Sequence, residues 1–210
     1  MNWPNIIYKR DVCKYIYATE DNNDCISLYK DREYFEDDIV YTSFIKNVEK
    51  MVRSDPDYKH FISQLKQKYG LDFCQACRQL TGQDVTIEMH HGPLFTLYDI
   101  CEVVLLKFIK KGYKINTMRI ADIVLQEHFD LRIQIVMLAV TSHEAVHNKD
   151  MFLNLKQGIG DIARFIEDYQ AYFEDNQKYK IWNYINLSKN NDSFDKGVLD
   201  VDRIKPMFKM

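Results

Sequence analysis

Apolar positions along this 210-residue chain recur with two periods, the helical period of about 3.6 residues and the strand period of about 2. From Tyr41 to Arg53, Phe44, Ile45, Val48 and Met51 fall at helical spacing, with Lys46, Lys50 and Arg53 among the solvent-facing positions. Ser54-Asp55-Pro56 is a helix-start signal, because Asp caps free N–H groups and Pro fits a first turn. It opens a helix carrying Tyr58, Phe61, Ile62 and Leu65 that stops at Gly70. Thr96 to Lys111 reads as a third helix, with Thr96 and Asp99 as a capping box and Gly112 as its stop. Its apolar residues run nearly all the way round, which marks it as central and buried. Asn116 caps a fourth helix that ends near His128. Ile159, Ile162, Phe165, Ile166, Tyr169 and Phe173 form a later stripe of core type, and Lys178 to Leu187 a last short helix.

Two runs break this rhythm. Val85 to Met89 and Ile133 to Val140 are β-prone, and each leads into histidines. Gly82-Gln83-Asp84 turns into the first run and Gly92-Pro93 turns out of it. The second passes through a tight turn into a short helix that Thr141 or Ser142 can cap. The fold class is therefore α+β, a mostly helical single domain. Its parts are a mixed, helical N-terminal arm (1–70), a core (71–175) with a helical insertion (96–128), and a C-terminal helix and tail (176–210). Residues 1–40 read as loops with short elements, 188–197 as a polar loop, and 198–210 as a docking tail or edge strand. Internal repeats and low-complexity tracts are absent.

Composition narrows the classes. Apolar residues make up 46% of the chain, with fourteen Tyr and twelve Phe, enough for a packed core and against disorder. The net charge of -3 gives no chain-wide basic signature, so a nucleic-acid partner would need a local track. Lys59, Lys66 and Lys68 on the second helix are candidates, although such lysines are more often a solvated face. Five cysteines at irregular spacing argue against a disulfide framework and for a reducing compartment. Cys74-x-x-Cys77 reads as two partly buried thiols, since no βαβ pattern precedes it. The start lacks a signal-peptide pattern, and the longest apolar stretch, Ile100 to Ile109, is too short to span a membrane.

Only six histidines are present, and four lie in the two irregular runs, as His90-His91 and as His143 and His147. Histidine is the commonest metal ligand and the usual acid/base near neutral pH. A spacing of four puts His143 and His147 on one helix face. Adjacent strand residues face opposite ways, so one of His90 and His91 can meet a metal while the other faces elsewhere. His60 and His128 read as ordinary histidines.

Glu88-x-His90-His91, a strand, then His143-x-x-x-His147 resembles the HNH (ββα-metal) endonuclease family, especially its colicin-type and phage versions, over roughly residues 73–150. The resemblance implies a ββα-metal core and hydrolysis of phosphodiester bonds in DNA. His90, His143 and His147 would bind one divalent metal ion (Mg, Mn, Ni or Zn), and His91 would be the general base. Gln134 stands where the family has an Asn and would orient the catalytic loop or His91; Glu88 also has a counterpart there. The rings of the three ligands should then converge, with His91 adjacent but not ligating. Many members hold a structural zinc with two C-x-x-C pairs; here Ala139 and Ser142 occupy the second pair's positions, so that zinc is not expected at Cys74 and Cys77.

The same residues admit rivals. His143-Glu144-x-x-His147 spells the zinc metallopeptidase signature, with Glu144 as base and Glu167 or Glu174 as third ligand. Polar flanks at Thr141, Ser142, Asn148 and Lys149 count against it. A non-catalytic nucleic-acid-binding protein that retains the fold is the third reading. Expected partners are nucleic acid, chiefly DNA, without membrane, in the cytoplasm of the host if the chain is phage-encoded.

Overall fold

The computed structural model describes residues 29–190. The sequence readings for residues 1–28 and for the tail beyond 190 lie outside them. A 3-10 turn at Arg32–Phe35 leads into α1 (Asp38–Ser54), α2 (Pro56–Gln67), β1 (Ile87–His91), α3 (Leu97–Lys111), α4 (Thr117–Phe129), β2 (Ile135–Ala139), α5 (Val140–His147), α6 (Ile162–Tyr169) and α7 (Asp175–Asn190). The described residues thus form seven α-helices and one two-stranded sheet, a mostly helical domain.

Local chemistry places these elements. Asp37 caps α1 through Ile39 and Val40 N–H, and Asp55 caps α2 through Asp57 and Tyr58 N–H, with Pro56 in the first turn. Thr96 and Asp99 make a reciprocal capping box on α3, and Gly112 ends it in the left-handed region at φ 65°. α3 buries Ile100, Val103, Val104 and Leu105 completely and forms the centre of the molecule. α1 and α4 pack on it and on each other. One continuous apolar core runs from Phe35 to Ile185.

β1 and β2 are antiparallel, with His90 opposite Val136 and His91 opposite Ile135. The chain between them is α3 and α4, so the insertion expected over 96–128 is the helical centre of the fold. β2 is buried along its whole length. Its second edge is closed by a mutual main-chain pair with Ile159 (2.9 and 2.8 Å) and by Gln75, whose N–H donates to Met137 O (2.8 Å). The Gln75 side-chain oxygen accepts from Met137 N–H at 2.6 Å.

Three boundaries differ from the sequence reading. α5 starts at Val140, straight off β2, with Ala139 at its cap position and no side-chain cap. Ser142 is buried inside the helix, where its Oγ lies 3.5 Å from Cys74 Sγ. α7 begins at Asp175 and runs on to Asn190, into the polar stretch that reads as a loop from 188. Ser188 is buried there, its carbonyl accepting from Asn154 Nδ2 at 3.0 Å, so tertiary bonds hold the helix where its own sequence is polar.

Candidate metal centre

β1 alternates faces, and this divides its two histidines. His90 turns toward α5, where His143 and His147 stand one turn apart. A ligand atom from each of the three lies within 4.8 Å of the others. The ring centroids are 5.1 Å apart for His90–His143 and His90–His147, and 4.6 Å for His143–His147. His90 is buried at 8% exposure while His147 is exposed, so the cluster opens to the surface on the α5 side. Gly92, at φ 150°, leaves room for it: a Cβ there would come 3.0 Å from His90 Nε2.

Glu88, on the same strand face as His90, supplies the outer partner. Its Oε2 lies 2.6 Å from His143 Nδ1. That bond places the His143 proton on Nδ1 and leaves Nε2 as the free lone pair, facing His147 Nε2 at 3.0 Å. Burial, followed by the neighbouring His143 and His147, pulls His90 down to about 4, so its lone pair is available at neutral pH. The arrangement is three imidazoles, one backed by a carboxylate, with no anionic ligand among the three.

His91 takes the opposite face and is enclosed in the core. Its Nε2 lies 2.9 Å from His128 Nε2 and 3.1 Å from the Tyr58 hydroxyl, whose ring stacks parallel to it. His128 Nδ1 is 2.7 Å from Val124 O and so donates to it. Its Nε2 must then accept, which puts the His91 proton on Nε2. Burial, then His128 and Arg53, holds His91 well below the usual histidine range. No local signal marks this pair, because the partners sit on a strand and a helix 37 residues apart in the chain.

The remaining candidates lie outside the cluster. Gln134 is buried, and its Nε2 donates to Leu155 O at 2.9 Å rather than reaching His91. Glu144 is exposed on α5. His90, and neither Glu167 nor Glu174, joins the helix pair. The α2 and α3 lysines are partly engaged within the fold: Lys66 bonds the Ile87 carbonyl, and Lys107 lies 4.2 Å from the centre of the Tyr169 ring. Cys74 lies against Ala139 and Ser142, where a second thiol pair would have to stand.

Comparison with known families corrects the reading of these residues as an enzyme. The family model for a bacteriophage G278-like virion protein matches residues 6–206, nearly the whole chain. No curated protein matches the chain, and no solved structure does. The assignment to the HNH endonucleases is overturned by that match, and with it the phosphodiester hydrolase and the metallopeptidase read from the same motif. The physical reason is visible at His91. The presumed base is sealed on the far side of β1, bonded to His128 and Tyr58, and cannot reach a water held by the three-histidine cluster. The expected location in the host cytoplasm gives way to the virion named by the family; no described helix is long and apolar enough to cross a membrane.

Proposed function

The chain belongs to the bacteriophage G278-like virion protein family, and from that premise we propose that it is a structural component of the phage particle stabilised by one transition-metal ion at His90, His143 and His147. The observation that supports the centre is the convergence of three imidazoles from two elements that are distant in sequence. Three neutral nitrogen donors suit zinc, nickel, cobalt or copper; magnesium prefers oxygen ligands and is a poor fit. The ion would fasten α5 to β1, joining the end of the 140–147 helix to the sheet. Glu88 would hold His143 in its ligating tautomer. A metal that binds only the folded chain stabilises it by mass action, about 2.7 kcal/mol at a hundred times its dissociation constant.

The experiment has two arms. Mass spectrometry of purified particles should find this chain among the virion proteins. Chelator-stripped protein should take up one equivalent of zinc or nickel, and its Tm should rise by several degrees, on the order of 2–4 °C per kcal/mol for a chain of this size. Magnesium should leave Tm unchanged, and His143→Ala should abolish both uptake and shift. Zinc uptake that survives His143→Ala, or a Tm indifferent to zinc, removes the centre from the proposal. Absence from particles removes the structural role.

A further inference from the structure

Cys74 and Cys77 lie outside the histidine centre, yet the structure prepares one of their sulfurs. Cys74 is fully buried and Cys77 is exposed. A turn closed by Arg78 N–H on Cys74 O (2.7 Å) folds the four residues back on themselves. That turn brings the Cys77 thiol back beside Cys74, near enough to act on its proton affinity. Cys74 Sγ also receives the main-chain N–H groups of Ala139 and Cys77 and lies 3.5 Å from Ser142 Oγ. Cys74 donates to Ser142 Oγ and is met by main-chain N–H groups, so hydrogen-bonding partners converge on one buried sulfur where the chain passes from β2 into α5.

We propose that Cys74 and Cys77 form a reversible disulfide by exchange with a small-molecule disulfide of the glutathione type. Accessibility divides the roles. The exposed Cys77, as thiolate, attacks one sulfur of oxidised glutathione. The glutathione S–S bond breaks, one glutathione thiolate leaves, and Cys77 carries a mixed disulfide. Cys74 gives its proton to solvent, and its thiolate attacks the Cys77 sulfur. The second glutathione then leaves as thiolate. In total the two cysteines lose two electrons and two protons, and one oxidised glutathione becomes two reduced ones.

The hydrogen bonds suit Cys74 to the resolving step. Burial alone would push its thiol up. The Ala139 and Cys77 N–H groups, the Ser142 hydroxyl and the Cys77 thiol outweigh burial and bring it down to about 7. Cys101, the other described cysteine, is buried in α3 and burial pushes its thiol up, so it serves as an unreactive internal reference. A phage particle leaves a reducing cytoplasm for an oxidising exterior, and a pair of this kind changes state between the two. Ser142, which contacts Cys74, immediately precedes His143, so the clasp closes against the same helix that carries two of the histidines.

The test uses the full-length reduced chain incubated with oxidised glutathione and followed by intact mass and peptide mapping. Wild type should lose two hydrogens, keep no adduct, and yield a peptide in which Cys74 and Cys77 are joined. Cys74→Ser should stop with one glutathione held on Cys77. Cys77→Ser should leave Cys74 unmodified, with circular dichroism confirming that both variants fold. A lasting adduct on Cys77 in wild type, two free thiols after incubation, or pairing with Cys13, Cys25 or Cys101 would overturn the proposal.

Discussion

At the scale of single residues, the three-histidine cluster differs from a chance meeting of imidazoles through Glu88. Its carboxylate meets His143 Nδ1 at 2.6 Å and decides which nitrogen faces His147. Outer partners of this kind typically carry about 10–100-fold in metal affinity. Glu88→Gln keeps the length and can still accept the proton on Nδ1 but loses the charge. Zinc affinity, read by competition with a chelating dye, should therefore fall by roughly that factor while stoichiometry stays at one. An unchanged affinity would mean that the carboxylate merely neighbours the ring. Gly92 belongs to the same argument, since its missing Cβ is what lets the chain turn beside His90 Nε2.

At the scale of elements, β2 is a short buried strand with one strand partner among the described residues, and its other edge is met by non-strand groups. Gln75 serves as a substitute partner. Its main chain and side chain both bond Met137, and its Nε2 donates to Gln157 O at 3.0 Å, tying the 72–82 loop to the 155–158 turn. In Gln75→Ala the Met137 N–H loses its acceptor inside the fold, a cost of about 1–3 kcal/mol. The urea midpoint should drop accordingly with the slope unchanged; a midpoint within error of wild type would show that water replaces the amide. Contacts of this kind are also where local sequence signals end. The periodicity of α1 to α4, the Thr96–Asp99 box and the Gly112 stop are local signals, and the elements form where they point. The facing of His90 toward His143 and His147 followed from strand alternation and helix spacing together. Gln75 carries no such signal, because its bonds span 62 residues. α5 starts ahead of Ser142, a good cap by type, because the Ser142 hydroxyl is taken up by Cys74. The virion assignment has no motif at all in these terms, since a structural role leaves no short chemical signature, and a familiar histidine pattern filled that gap.

At the scale of the whole molecule, the buried pair His91–His128 joins the sheet to α4, and Tyr58 brings in α2. Both rings are buried, and burial holds both below the usual histidine range, His128 at about 4. The consequence for stability has a definite sign. In the unfolded chain these histidines take up protons near pH 6.5, whereas the folded protein resists protonation until much lower pH. Stability is complete above about 6.5 and is lost as pH falls from there toward 4, because the unfolded state then binds more protons. The loss amounts to at most about 1.4 kcal/mol per pH unit for each histidine in that window. Urea midpoints of chelator-stripped protein should therefore fall steeply between pH 6.5 and 4.5 and stay level between 7 and 8. His90, held at about 4 by burial, adds to the same loss in chelator-stripped protein; His128→Gln removes one of the three titrating rings and still offers His91 an amide, so its dependence should be shallower across the same range. A wild-type midpoint that is flat from pH 7 to 5 would mean that the core opens enough to hydrate the pair. The junction between sheet and helices would then not be the rigid one that the bonds among Tyr58, His91 and His128 describe.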